Sequence, residues 1–239
     1  MSAAARSCGP RFSPHGYWNQ VEPTAVQQAL RRAFSAWGRP ERFRVDNGSP
    51  WGSAGDWPTD LALWLIGLGV DMIWNPPRRP QDNGVVERSQ GTGKRWGEPH
   101  TCRALEELQQ RLDQMDRIQR EVYPSIEGLS RAQAFPELQH PVRTYTKGWE
   151  KRAWDLERVL AHLADYSVPR RVDRKGQVSV YNRNHYVGKP YRGQDVYVVL
   201  DPADREWVFI TREGVQLRHK AAAEISRERI IHLQVTHRR

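Results

Sequence analysis

Cysteine is scarce in this chain, and the two that occur, Cys8 and Cys102, lie far apart in the sequence. Neither takes part in a CxxC pair or in a Cys/His spacing that would suit a metal. A structural zinc site and a disulfide framework are therefore not indicated. A reducing compartment suits these thiols.

Long hydrophobic runs are missing as well. The longest stretch without a charged or strongly polar residue runs from Leu61 to Val70, about half of what a membrane-spanning helix needs. The first residues, Met1 to Pro10, contain no apolar run that could act as the core of a signal peptide. From the sequence we expect neither a membrane span nor secretion.

Acidic residues are fewer than basic ones. The chain has 28 Asp and Glu against 37 Lys and Arg, which gives a net charge of +9 over 239 residues. The excess is C-terminal, because residues 169–239 carry 15 basic and 8 acidic groups. A basic segment beside a nearly neutral one is typical of a polyanion binder, since each neutralised phosphate releases counterions. The alternative is a basic surface that serves solubility alone.

Hydrophobic periodicity and turn residues outline the first half of the chain. They predict a helix over 22–37, a strand over 42–45, a helix over 60–67 capped by Thr59, a strand over 70–74, a proline-rich loop over 75–84 and a helix opening at Val85. Strands that alternate with helices in this way indicate an α/β layer.

The second half begins with two helical patterns and ends with strands. We predict a helix that Thr101 caps, with an apolar stripe over 105–122, and a second helix over 149–164. A basic linker over 167–176 follows, then five short strands within 178–217 and a helix over 221–231. The apolar stripe of the 105–122 helix indicates core packing, with a contact between protomers as the alternative. Five short strands at this spacing suggest a small antiparallel barrel.

Two acidic residues stand out because each is close to an Asn-Gly pair. Asp46 ends a strand in Val45-Asp46-Asn47-Gly48, and Glu87 opens a helix in Asn83-Gly84-Val85-Val86-Glu87-Arg88. These motifs, with the basic proline-rich loop between them, resemble the integrase core of DDE transposases and retroviral-type integrases, which has an RNase H-like fold. The resemblance covers about Tyr17 to Trp96.

The resemblance implies that Asp46 and Glu87 are catalytic and bind Mg²⁺ or Mn²⁺. Phosphodiester transfer requires stabilisation of the attacking and leaving oxygens, which two metal ions about 4 Å apart can provide. Hard cations of this kind prefer carboxylate oxygens. The alternative is that Asp46 only caps a turn and Glu87 only caps a helix.

The family pattern includes a third carboxylate, an Asp on the first strand, and here the chain departs from it. Residues 1–45 contain no Asp, and their only acids are Glu22 and Glu41. We therefore expect an N-terminally truncated core whose first strands are missing. We also expect that the chain alone neither cleaves nor joins DNA.

Basic residues of the first half are candidates for DNA contact. The resemblance implies that Lys94 and Arg95, on the helix that Glu87 opens, contact phosphates. Arg78, Arg79 and Arg88 are further candidates. For all five, the alternative is a solvated rim.

The C-terminal part is similar to the β-barrel that follows the core in Mu-like and IstA-like transposases, over about Val178 to Leu217. In that family the barrel contacts DNA or helps to assemble the complex. The DNA-binding candidates here are Arg170, Arg171, Arg174, Lys175, Arg183, Lys189 and Arg192, with Arg218 and Lys220. Tyr181, Tyr186 and Tyr191 are possible stacking partners or core residues, and we expect His185 to be structural.

These observations predict an α/β chain in three parts. Residues 1–100 form a partial RNase H-like integrase core, residues 101–168 a helical connector, and residues 169–239 a basic linker and a small SH3-like antiparallel β-barrel. The predicted function is that of an incomplete transposase or integrase of a mobile element, whose intact reaction is metal-dependent DNA strand transfer. The alternatives are a non-catalytic DNA-binding or inhibitory transposase remnant, and an RNase H-like nuclease for RNA·DNA hybrids.

The predicted partners are the DNA ends of the element and target DNA. The intact transposase is expected to form a homo-oligomer, and Mg²⁺ or Mn²⁺ is its expected cofactor. The expected location is the bacterial cytoplasm, in association with the nucleoid.

Overall fold

The computed structural model describes residues 22–53, 55–76, 84–136, 140 and 142–235, without the side chains of residues 85, 86, 89, 90 and 105. Over these residues the protein is mixed α/β. It divides into two compact units. Of the described residues, the smaller unit comprises those within 32–40 and 84–145, and the larger unit comprises those within 22–31, 41–76 and 146–235. The three domains expected from the sequence stay a prediction.

Eight helices and eight strands are present in the described residues. In chain order they are α1 (Pro23–Trp37), β1 (Arg42–Val45), α2 (Asp60–Gly67), β2 (Asp71–Trp74), α3 (Gly84–Gly97), α4 (Leu105–Glu121), α5 (Arg131–Ala134), α6 (Lys147–Ala153), α7 (Leu156–Ala164), β3 (Val168–Arg171), β4 (Gln177–Val180), β5 (Arg183–Tyr186), β6 (Asp195–Asp201), β7 (Glu206–Ile210), β8 (Gln216–Ala221) and α8 (Arg227–Ile231). None of them combines the length and the apolar composition that a membrane crossing requires.

Strands β1 and β2 form a two-stranded parallel sheet in the larger unit, with Arg42 opposite Asp71 and Val45 opposite Trp74. Phe43 and Val45 are buried, whereas Arg42 and Arg44 are exposed. The alternation places the two arginines on the open face of the sheet. Asp46 follows directly, at the carboxyl end of β1.

Helix α2 is the most deeply buried element of the larger unit, since all eight of its residues are buried. Thr59 caps it by accepting a hydrogen bond from the Ala62 amide at 3.4 Å, as the sequence predicted. The Trp154 indole donates to the Trp64 carbonyl at 3.0 Å and lies against Gly67. The absence of a side chain at Gly67 is what allows the Trp154 ring to lie there.

A charged network joins α1, α2 and α6. The Arg31 guanidinium makes a two-pronged contact with the carboxylate of Glu150, at 2.6 and 3.0 Å. The Trp64 indole donates to the same carboxylate at 3.1 Å. Glu150 is only 4% exposed, so these donors compensate for the loss of its hydration.

The C-terminal strands are antiparallel, as predicted. Strands β3, β6, β7 and β8 form a four-stranded sheet in the order β3-β6-β7-β8, and β4 pairs with β5 as a hairpin. The hydrogen bonds among the described strands do not close these sheets into a barrel. Residues 168–171, assigned to the linker from the sequence, form β3 instead, because they pair with β6 despite Pro169.

Three helix predictions are wrong in detail. The single helix over 149–164 is two helices, because Trp154 has an extended backbone and Asp155 caps α7 through the Glu157 amide. Helix α4 has Ala104 at its cap position, since Thr101 ends a short 3₁₀ turn over Pro99–Thr101. The last helix starts at Arg227, because Ala221 belongs to β8.

In the smaller unit, α3 packs on α4. A β-carbon at Gly97 would be 3.2 Å from the Leu112 side chain and 3.5 Å from that of Leu108. Met115, one turn further along α4, is buried near Gly93. Leu108, Leu112 and Met115 of the predicted stripe therefore pack within the chain, whereas Val122, its last member, is exposed.

Candidate functional site

The turn between β3 and β4 is fixed by one aspartate. The carboxylate of Asp173 accepts the amides of Lys175 at 2.8 Å and Gln177 at 2.7 Å. An aspartate that binds backbone amides two and four residues ahead stabilises a tight turn. The side chains of Arg174 and Lys175 are exposed at this turn.

A second basic loop connects β5 and β6. It contains a 3₁₀ turn over Lys189–Tyr191, and Arg192 donates from its Nε to the Lys189 carbonyl at 3.1 Å. Gly193 has a φ of +74°, which glycine adopts without strain. The basic side chains of this loop, Lys189 and Arg192, are exposed.

The backbone brings the two loops together. The amides of Val187 and Gly188 both donate to the Gly176 carbonyl, at 2.9 and 3.1 Å. At the other end, Val172 and the Gly193–Gln194 backbone exchange two hydrogen bonds of 2.9 Å. These bonds hold the loops side by side within the larger unit.

An open groove of about 760 Å³ lies between the loops. We call it the basic groove, and its lining residues are Arg171, Val172, Asp173, Arg174, Arg192 and Gly193. Three of these lining residues are arginines, and the same two loops also carry the exposed Lys175 and Lys189. The carboxylates nearby are Asp173 and Asp195, which pairs with Arg171 across the β3/β6 ladder. The local charge is therefore about +3, enough to favour an anionic ligand.

Two predicted DNA-binding arginines do not line the basic groove. Arg170 donates to the Asp56 carboxylate at 2.5 Å, although it is adjacent in sequence to Arg171. Arg183 lies 3.3 Å from the carboxylate of Glu224. Both guanidiniums are thus engaged by carboxylates of the chain itself.

Glu224 is a buried carboxylate that the sequence analysis did not single out. The Trp207 indole donates to it at 2.6 Å, and the His185 ring nitrogen lies 3.4 Å away. Burial on its own raises the pKa of such a group, but the contacts from His185, the Glu224 backbone and Trp207 outweigh burial and lower the pKa of Glu224. His185 is buried in this cluster, which agrees with a structural role.

The remaining C-terminal candidates are divided between surface and core. Arg218 and Lys220 are exposed on β8. Tyr186 is exposed and Tyr191 lies against Gly188, whereas Tyr181 is buried. The Tyr181 hydroxyl donates to the Pro58 carbonyl at 2.8 Å, so this tyrosine is a core residue and not a stacking partner.

Asp46 is exposed immediately after β1. The loop behind it is well anchored: the Asn47 side-chain amide donates to the Asn75 carbonyl at 2.5 Å, and the Asn75 amide donates to the Val45 carbonyl at 2.8 Å. Asp46 and Asn75 thus follow neighbouring parallel strands at one edge of the sheet. Within the described residues, no group of three or more His, Cys, Asp or Glu side chains is placed to hold a metal ion.

Glu87 lies in the first turn of α3, as predicted, and it is exposed. Arg88, Lys94 and Arg95 are also exposed on α3, which continues to Gly97 in spite of its internal glycines. Arg78 and Arg79 lie outside the described residues. Asp46 belongs to the larger unit and Glu87 to the smaller, and their pairing at one metal site stays a prediction.

Two glycines, Gly176 and Gly188, bring the loops of the basic groove together, and this contact was not predicted from the sequence. The run Asp173-Arg174-Lys175-Gly176 carries a turn signal, an aspartate followed three residues later by glycine. That signal could have identified Gly176 as the residue that ends the turn. The contact of Gly176 with the Gly188 loop has no such local signal.

Comparison with known families adds no assignment to this geometry. No protein-family model matches the chain. Its function is therefore inferred from its own residues.

Proposed function

We propose that this chain is a DNA-binding protein of the DDE transposase and integrase type, and that its basic groove holds the phosphate backbone of duplex DNA. One observation carries the proposal: two loops separated in sequence line one open groove with three exposed arginines, Arg171, Arg174 and Arg192. Arginine provides a planar set of donors that matches a phosphate, and Lys175 and Lys189 of the same loops add further exposed positive charge.

The groove suits a backbone contact better than a small-molecule site. Ligand pockets are mostly enclosed and apolar, with a few polar groups. The basic groove is open, and three guanidiniums line it. Contacts of this kind position a duplex without reading its sequence, so the proposed binding is sequence-independent and sensitive to salt.

The family part of the proposal depends on the two motifs and on the elements that carry them. Asp46 ends a parallel strand and Glu87 starts a helix, the positions that an RNase H-like core uses. The β3–β8 strands supply the antiparallel framework that an SH3-like barrel needs. DNA as partner, self-association and a cytoplasmic, nucleoid-associated location belong to the same proposal.

Metal chemistry is not part of the proposed function of this chain. Within the described residues, Asp46 and Glu87 are exposed and no group of three or more His, Cys, Asp or Glu side chains is placed to hold a metal ion, so no complete site for two hard cations is formed there. We therefore propose the non-catalytic alternative for the chain by itself, a protein that binds DNA without cleaving it.

Fluorescence anisotropy with a labelled duplex, measured over a salt series, tests the proposal. The variant Arg171→Ala/Arg174→Ala/Arg192→Ala is expected to bind more weakly, with a log–log salt slope smaller by about 3 because three phosphate contacts are lost. The matched control is Lys151→Ala/Arg158→Ala/Arg205→Ala, which removes three exposed cations of the same unit outside the basic groove.

The control separates a local site from the general effect of charge. If both triple variants lose the same affinity and the same salt slope, the groove is not the binding site. If the unchanged protein does not bind duplex DNA at low salt, the proposed function itself is wrong.

A further inference from the structure

Most of the exposed large apolar side chains among the described residues lie in the smaller unit. Among the described residues, its exposed side chains of this kind are Trp37, Trp96, Val122, Tyr123, Leu129, Phe135 and Val142. Isolated exposed apolar residues are common, but a contiguous group marks an interaction site. Trp37, Trp96 and Tyr123 are 45%, 43% and 50% exposed.

Three exposed aromatic side chains and one arginine of this unit form two contacting pairs. Trp96, at the end of α3, meets Tyr123 edge to face, with ring centres 6.1 Å apart. Arg120 lies three residues before Tyr123, and its guanidinium covers the ring of Trp37 at 4.2 Å. We call Trp37, Arg120, Tyr123 and Trp96 the aromatic strip.

The charges around the aromatic strip are mainly positive. Arg120 and Arg117 both donate to the carboxylate of Glu121, at 2.7 and 3.1 Å, which leaves this cluster with one net positive charge. Lys94 and Arg95 directly precede Trp96 and are exposed. Aromatic rings and cations that alternate on a surface are the two elements of a site for unpaired nucleotides.

The arrangement favours unpaired bases over a duplex. In an edge-to-face pair, one ring has neither of its faces covered by the other ring, and an uncovered ring face is what a base stacks on. In a duplex the base faces are covered by their neighbours and only the edges are accessible in the grooves. Tryptophan, tyrosine and arginine are also enriched at protein interfaces, so a second copy of the chain is an outcome that the test below must separate from single-stranded DNA.

We propose that the aromatic strip binds single-stranded DNA by stacking unpaired bases on Trp96 and Tyr123, while Lys94 and Arg95 contact the phosphates. The site is separate from the basic groove, which binds the duplex. Only the choice of DNA over RNA rests on the proposed function.

Anisotropy with a labelled oligo(dT) tests this on the full chain. The variant Trp96→Ala/Tyr123→Ala is expected to lose at least about tenfold in affinity for oligo(dT), because each stacked base is lost, and to keep its affinity for duplex DNA. The matched control is Leu129→Ala/Phe135→Ala, which removes two apolar side chains of the same unit with similar exposure, 47% and 43%. The control is expected to bind oligo(dT) normally.

Two further measurements keep the test decisive. Trp96→Phe/Tyr123→Phe retains the rings and is expected to restore binding, which separates stacking from a folding defect. Photocrosslinking with an oligo(dT) containing 5-iodouracil is expected to label Trp96 or Tyr123.

Several outcomes would overturn the inference. These are unchanged oligo(dT) affinity in Trp96→Ala/Tyr123→Ala, preferential binding of oligo(rU), and a dimer in light scattering that disappears in this variant without any change in oligo(dT) binding. Loss of duplex binding in the groove variant alone concerns the proposed function and leaves this inference intact.

Discussion

Gly176 lies so close to Gly188 that a β-carbon at position 176 would be 2.7 Å from the Gly188 carbonyl carbon. The contact is between backbones, so no side chain can rotate away to relieve it. It holds the two loops of the basic groove together. Gly176 also has a φ of +79°, which disfavours any other residue.

Gly176→Ala is expected to destabilise the chain and to open the basic groove. The left-handed backbone alone costs about 1–2 kcal/mol for alanine, and the clash adds about 1–3 kcal/mol. Gly214→Ala is the matched control, since its φ is +86° but no atom lies within 4 Å of the added carbon. Urea unfolding should show a smaller loss for Gly214→Ala, and only Gly176→Ala should weaken duplex binding. Equal effects of the two variants on binding would contradict the role of this contact.

Arg170 and Arg171 are expected to differ although they are neighbours. Successive side chains of β3 point to opposite faces: Arg171 lines the basic groove, whereas Arg170 binds Asp56. Arg171→Ala should reduce the salt slope of duplex binding by about 1. Arg170→Ala should leave that slope unchanged and lower the free energy of unfolding by about 0–1 kcal/mol. A salt slope that changes equally in both variants would show that Arg170 also contacts phosphate.

The Glu224 cluster predicts how stability depends on pH. The pKa of Glu224 is lower in the folded chain than its ordinary value of 4.5. Its contribution to stability is therefore complete above pH 4.5 and is lost as the pH falls through the lowered pKa. Glu224→Gln keeps an acceptor for Trp207 but loses the charge that faces His185 and Arg183. We expect a loss of about 1–3 kcal/mol at pH 7, together with a flatter stability profile below pH 4.5.

Thermal or urea unfolding between pH 3 and pH 7 measures this effect. Glu228→Gln is the control, because Glu228 is exposed on α8. If Glu224→Gln and Glu228→Gln have the same profile below pH 4.5, the contacts of Glu224 do not stabilise its charged form.

Gly67 is expected to tolerate no side chain. An added β-carbon would lie 2.1 Å from Cε2 of Trp154, which is itself buried and bonded to the Trp64 carbonyl. Gly67→Ala should cost about 3 kcal/mol or more in urea unfolding, because the Trp154 ring must move. Gly148→Ala, within α6, meets only ordinary contacts at 3.9 Å and is expected to gain up to about 1 kcal/mol. A gain in Gly67→Ala would show that Trp154 repacks without loss.

The chain alone is expected not to nick DNA. Supercoiled plasmid incubated with Mg²⁺ or Mn²⁺ should remain intact, because the proposed function assigns only two carboxylates, Asp46 and Glu87, to a metal site for which the family it resembles has three. Asp46→Asn should therefore behave like the unchanged protein in this assay. Metal-dependent nicking that disappears in Asp46→Asn would make the chain a nuclease.

Several elements could be predicted from local sequence signals. Strand β1 ends where the Asp46-Asn47-Gly48 turn begins, and α2 starts after Thr59, because both limits depend on residues next to each other in the chain. The break between α6 and α7 was missed because it accompanies a distant contact, in which the Trp154 indole meets Trp64 and Gly67. An apolar pattern at helical spacing does not reveal such a contact.

In the candidate sites too, local signals could be predicted from the sequence, whereas contacts between distant residues could not. The sequence identified Arg171, Arg174 and Arg192 as DNA-binding candidates from charge and resemblance. It could not show that Arg170 is engaged by Asp56, because the two residues are far apart in the chain. The aromatic strip was also missed, since the contacts of Trp96 with Tyr123 and of Arg120 with Trp37 join separate segments and form only through folding.

The exposed face of β1 has a consequence for the behaviour of the protein at high concentration. Among the described residues, β1 pairs with β2 alone. Arg42 and Arg44 project from this short strand, and like charges on two copies repel each other when their strands approach. We therefore expect these two arginines to oppose edge-to-edge association of two copies, and this effect to weaken as salt screens their charge.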